Sequence, residues 1–161
     1  MFDKAALVHK AVELVDQQRV GVLCTAVDGL PYGSPLAYLA GERLKWIAFA
    51  TARGSRKQQA LARNPEAAFV IDNRSGGDFD PSSAQTVIAT GIAVEASDPA
   101  ENRQLIEQLG LRSPKLEEFL LSPRTAVFKL LVRTVIYVKG LEASVEIPVG
   151  DFGVGQTASG T

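Results

Sequence analysis

The sequence predicts an α+β protein built on a small, mainly antiparallel β-barrel with short flanking helices. Three observations predict it. Six or seven segments are apolar or alternate apolar with polar residues over a strand's length, and turn residues separate them. The helical patterns between them are short. Gly91 falls midway along a long strand pattern, where a glycine often marks a bulge or a barrel corner.

Residues 3–18 read as an amphipathic helix. Asp3 can cap it, and Leu7, Val8, Ala11, Val12 and Val15 fall on one face. Residues 19–27 alternate as a strand, with Val20, Val22, Cys24 and Ala26 on one face and Cys24 as a small core residue. Asp28-Gly29 is a hairpin signal. Residues 31–40 form the next strand, and Ser34-Pro35 within it indicates an edge or a bulge. After Gly41-Glu42 a third strand ends at Ala50, which gives an expected three-strand meander. Ser55 starts a helix that Asn64-Pro65 stops. Residues 66–72 are apolar through their middle and read as a strand buried on both faces. Residues 73–83 are loop, and 84–96 are the long strand containing Gly91. Asp98-Pro99 opens a helix to about Leu109, and Ser113-Pro114 a shorter one to Leu121. Strands over 124–139 and 141–148 follow. No internal repeat or second domain is visible, so residues 1–149 are expected to form one domain. The glycine-rich residues 150–161 are expected to be a disordered tail.

Composition narrows the function. The chain has 161 residues, 46% of them hydrophobic and 22% charged, as in an ordinary globular domain with a real core. A net charge of −1, with no basic stripe interleaved with aromatics, argues against nucleic-acid and membrane-surface partners. One cysteine excludes an internal disulfide and a zinc-finger cluster, and favours a reducing, cytoplasmic setting. Charged residues interrupt the N-terminal segment, so it carries no signal-peptide pattern, and no run of about 20 apolar residues is present. His9 is the sole histidine and lies off the apolar stripe of its helix. It has no evident partners for a metal site or for a Ser-His-Asp set. No Walker-type or Rossmann glycine loop occurs.

The segment from Trp46 to Pro65, WIAFATARGSRKQQALARNP, stands out. It reads strand, turn, helix, with Ser55 as N-cap and Gln58 completing a capping box. Arg56 and Lys57 occupy the first helical turn, where the macrodipole disfavours cations by a few tenths to about 1 kcal/mol each. A bound anion would reverse that sign, because free N–H groups, the Ser55 hydroxyl and two cations would converge on a phosphate. A solvated basic turn is the other reading of these residues.

Thr51 through Lys57 with Asn64-Pro65, set after a meander and before the strand carrying Gly91, resembles the pyridoxamine 5′-phosphate oxidase family. Ser34-Pro35-Leu36 resembles the strand that lies along the flavin there. The resemblance runs from about residue 8 to 140. It implies an FMN-binding split β-barrel of six to seven mainly antiparallel strands. It also implies FMN as cofactor, with Arg56 and Lys57 as phosphate ligands and Ser55 helping at the helix start. Ala50 and Thr51 would contact the flavin ring and ribityl chain. Ser34, Pro35 and Leu36 would offer backbone groups to the isoalloxazine. Gln85 lies near a family glutamine on the long strand, one residue out of register with it. A homodimer with FMN at the subunit interface is implied as well. The expected function is a flavin-dependent oxidoreductase acting on a small-molecule substrate, with no catalytic residue assigned and no metal. A true pyridoxamine 5′-phosphate oxidase is not expected, because from Thr134 to Thr161 there is no Arg or His to clamp a phosphorylated substrate. A flavin store or sensor, and a haem-binding or haem-degrading protein, stay open beside it.

Overall fold

The computed structural model describes residues 3–77 and 79–153. Among these residues eight strands form one curled antiparallel sheet: β1 (Val20–Val27), β2 (Leu30–Ala37), β3 (Leu39–Ala40), β4 (Trp46–Ala52), β5 (Glu66–Asp72), β6 (Gln85–Glu95), β7 (Thr125–Lys139) and β8 (Val145–Pro148). Four helices flank it: α1 (Lys4–Gln17), α2 (Arg56–Arg63), α3 (Pro99–Arg112) and α4 (Glu117–Leu121). The sheet order is β2-β1-β5-β6-β7-β4-β3, with β8 added on β7. One residue, Tyr38, separates β2 from β3, so the two ends of the path meet and the sheet curls into a split barrel.

The meander expectation needs correction. β2 pairs with β1 and β3 pairs with β4, but β2 and β4 do not pair with each other. β4 runs instead beside β7 over its whole length. The break at Tyr38 has a packing cause. Its ring is fully buried, edge-on to Phe69, and its hydroxyl donates to the carbonyls of Val15 (2.5 Å) and Gln18 (3.1 Å) at the end of α1. Arg112 donates to the same two carbonyls and lies over the Tyr38 ring.

Local signals hold where they are strong. Asp3 accepts from the N–H of Ala5 and Asp98 from that of Glu101, each at a helix start. Asp28 (φ 52) and Gly29 (φ 76) make the tight turn between β1 and β2. The β6–β7 register shifts at Thr90/Gly91, as the mid-strand glycine suggests, and a Cβ on Gly91 would collide with the Leu131 carbonyl.

Three expectations change. On β1 the inward residues are Gly21, Leu23 and Thr25, and Cys24 is only half-buried. Burial still pushes its thiol pKa up, which disfavours the reactive thiolate. On β5, Phe69 and Ile71 are buried while the opposite face is half-buried. Residues 150–153, expected to be disordered, belong to a 3₁₀ turn, Val149–Gly153. Phe152 there is buried in the main core, its carbonyl accepts from Arg43 (2.7 Å), and Asp151 pairs with Lys4. Residues 154–161 lie outside the described residues. No helix among the described residues is long and apolar enough to cross a membrane.

Two cores result. α1 packs Ala11, Leu14 and Val15 onto the inner face, where Leu23, Tyr38, Phe49 and Phe69 meet. α3 and α4 pack Leu105, Leu109 and Leu120 onto Ala48 and Val127 on the outer face.

Candidate functional site

The split between β2 and β4 sets the site. β3 pairs only with Ile47 and Ala48, so Phe49–Ala52 have no strand partner on that side. β2 has none on its outer side either. Two strand edges therefore face each other across a gap, and Pro31 and Pro35 keep the β2 edge from recruiting another strand. The gap holds a cavity of about 320 Å³ lined by Pro35, Leu36, Ala50, Thr51, Ser55 and Lys57, with Ala37 and Ala52 beside them. That volume lies at the small end of the range for small-molecule sites.

The start of α2 closes one end. Ser55 has extended backbone geometry, and its hydroxyl accepts from the N–H of Gln58 at 3.3 Å. Gln58 reaches back to the N–H of Gly54 (2.5 Å), one residue earlier than a capping box would place it. The Thr51 and Ser55 hydroxyls share a hydrogen bond of 2.8 Å. The turn is held from outside as well. The Arg53 N–H donates to Arg124 O (2.7 Å), and the Arg53 guanidinium meets Glu95 at 2.8 Å. The N–H groups of Arg56 and Lys57 have no protein acceptor among the described residues. Lys57 is half-buried and likewise has no ion-pair partner among them. A half-buried lysine beside free helix N–H groups and two hydroxyls is a site for an anion.

Six of the residues expected at the site thus line one cavity. Arg56 departs from them. Successive helical residues point about 100° apart, and its guanidinium lies 4.3 Å from the Tyr32 ring centre, on the other flank of α2. Ser34 turns into the barrel opposite Leu23. It is 5% exposed, and its hydroxyl has no partner among the described residues. Only its backbone is placed toward the split. Gln85 does not line the cavity. It opens β6 opposite Lys139, at the far end of β7 from Thr125, and its side-chain carbonyl accepts from the Tyr137 hydroxyl at 3.1 Å. His9 is exposed on α1.

Sequence reasoning missed the opposite wall. Leu109 of α3 and Leu116, Phe119 and Leu120 around α4 complete the cavity. The signal was present in α4, EEFLL, whose apolar residues outnumber what one face of so short a helix can bury.

The family model for pyridoxamine 5′-phosphate oxidase matches residues 7–139. The chain belongs to the pyridoxamine 5′-phosphate oxidase family. Family members typically bind flavin. No curated protein matches the sequence. Solved structures share the fold. A haem-binding protein from Mycobacterium smegmatis has a TM-score of 0.80 at 19% identity, over 94% of this chain and 61% of that one. The chain thus spans about three-fifths of that protein. A member of the pyridoxinephosphate oxidase family from Clostridium acetobutylicum, related to general stress protein 26, has a TM-score of 0.72 at 14% identity, over 92% and 99%. An FAD-binding protein from Mesorhizobium loti has a TM-score of 0.63 at 19% identity, over 79% and 90%. At these identities the likeness concerns the fold.

Proposed function

We propose that this protein binds FMN in the split between β2 and β4 and serves as a flavin-dependent oxidoreductase for a small, largely apolar substrate. The observation that carries the reading is Lys57, half-buried and unpaired among the described residues, at a helix start that opens onto a cavity between two free strand edges. The fit is chemical. The phosphate takes Lys57, the Ser55 hydroxyl and the open N–H groups of α2. The edges at Ala50–Ala52 and Pro35–Ala37 present backbone donors and acceptors to a planar heteroaromatic rim. Leu116, Phe119 and Leu120 cover its other side and exclude water.

When bound, the flavin supplies hydride or electron transfer. The chain contributes binding, orientation and an apolar cover. Among the described residues Lys57 is the only charged side chain lining the cavity, and it is assigned to the cofactor phosphate. The family resemblance implies a homodimer with the cofactor at the interface, and we extend that to this chain. Its outer sheet face carries Val94 and Leu131, 44% and 42% exposed, as an apolar surface for a partner subunit.

The haem-binding relative of similar fold supports a second reading, haem binding. His9 lies away from the cavity, which leaves that reading without a histidine ligand there. The absorbance spectrum of the purified protein titrated with FMN and with haemin separates the two. Flavin absorbance with quenched fluorescence is expected. A Soret band with no flavin uptake refutes the proposal. Steady-state oxidation of NAD(P)H by the FMN-loaded protein then distinguishes turnover from flavin storage.

A further inference from the structure

The geometry points to a nucleotide subsite on the far flank of α2, where the adenylate half of FAD binds beyond the phosphate that Lys57 and Ser55 hold. This rests on the flavin reading above and extends it. Arg56 and Lys57 are consecutive, and their side chains enter two different cavities on either side of one helix start. The second is a recess of about 260 Å³ lined by Thr25, Asp28, Tyr32, Arg56, Gln59 and Arg63, with Leu30 at its edge.

The recess has the chemistry of a phosphorylated adenosine. Arg56 has no carboxylate partner among the described residues, and it opens α2 immediately before Lys57. A pyrophosphate would straddle the helix start, one phosphate on each cation, with the Arg56 fork matched to phosphate oxygens. Arg56 already stacks on Tyr32, and Tyr32 and Leu30 remain 39% and 72% exposed. Exposed aromatic and apolar surface against a guanidinium plane is a stacking platform for a purine. Arg63 pairs with Asp28 at 2.7 Å, which leaves carboxylate lone pairs for ribose hydroxyls. The three charges sum to +1, so the recess favours an anion. FMN would fill the near flank only.

The test is isothermal titration of the full chain with FMN, FAD and AMP, for the native protein and for Tyr32→Ala, Tyr32→Phe and Arg63→Gln. FAD is expected to bind at least about tenfold more tightly than FMN. Tyr32→Ala and Arg63→Gln should remove most of that advantage and leave FMN within about twofold, while Tyr32→Phe keeps it. AMP binding that FMN does not displace, and that Tyr32→Ala abolishes, also supports the subsite and shows that it accepts a free nucleotide. FMN binding with no FAD advantage, or an equal loss of both flavins in Tyr32→Ala, overturns the subsite and leaves the flavin reading intact. Failure of both flavins to bind overturns both.

Discussion

Lys57 defies its setting, a cation in the first turn of a helix without a carboxylate partner among the described residues. That conflict was legible in the sequence, because the sign of the macrodipole needs no structure. What the sequence hid was the divergence of its neighbour. Arg56 and Lys57 look like one basic pair until the helical rotation sends Arg56 onto Tyr32. Lys57→Ala should weaken FMN about tenfold or more, since a charge-assisted hydrogen bond contributes about 1.5–3 kcal/mol. Unchanged affinity by fluorescence titration would remove Lys57 from the site. Tyr38 gives a pH prediction. Burial pushes its pKa from 10.0 up to about 12, against the opposing pull of Arg112. The folded state holds the phenol proton more tightly than the unfolded chain does. Its stabilising contribution is therefore complete below pH 10 and is lost as pH rises toward about 12. Urea titrations should show that slope in the native protein and a shallower one in Tyr38→Phe. At neutral pH Tyr38→Phe should cost only about 1 kcal/mol, because Arg112 still satisfies the carbonyls of Val15 and Gln18.

Strands and helices were legible because their signals are local. The alternation over 20–27, the Asp-Gly turn and the Asp and Ser caps each act within a few residues. Pairing was less so. The expected meander is interrupted, not continuous, because Tyr38 anchors to α1, some 20 residues earlier in the chain, and breaks the strand between β2 and β3. That single buried hydroxyl opens the split where the candidate site lies. Phe152 makes the same point at the other end. Glycines on both sides suggest a loose tail, yet one aromatic ring in the core and a bond from Arg43 fix the turn. Gly91 is the element-scale feature with the sharpest consequence. Its inner-face position lies against the Leu131 backbone, so Gly91→Ala must shift β6 or β7. We expect a loss of about 1–3 kcal/mol and a melting temperature lower by several degrees. Gly76→Ala, with open space around it, is the control and should leave the melting temperature unchanged.

At the scale of the whole molecule, the described chain covers the outer face of the curled sheet unevenly. α3 and α4 cover Ala48 and Val127 there, whereas Leu131 stays exposed, as does Val94, which lines a cavity of about 550 Å³ with Leu61, Pro65 and Phe128. A partner subunit there would bury them, so Leu131→Arg should convert a dimer to a monomer in analytical ultracentrifugation and weaken FMN with it. A native protein that is monomeric at full FMN affinity would contradict the interface. The same distribution of charge limits the substrate. A phosphorylated pyridine needs fixed, multidentate cationic donors besides those that hold the cofactor phosphate. Among the described residues the cavity offers Lys57 alone as a cation, and the wall opposite the strand edges is Leu109, Leu116, Phe119 and Leu120. A dianionic phosphate placed against that wall would lose its hydration and gain no hydrogen bonds in return. An uncharged, apolar molecule loses little there and gains contact with the leucines. Family membership therefore need not extend to the family's namesake reaction. The FMN-loaded protein should convert pyridoxamine or pyridoxine 5′-phosphate negligibly, followed by the absorbance of pyridoxal 5′-phosphate. Turnover near one per second, an ordinary enzymatic rate, would mean that cations from outside this cavity, such as a partner subunit's, complete the substrate site.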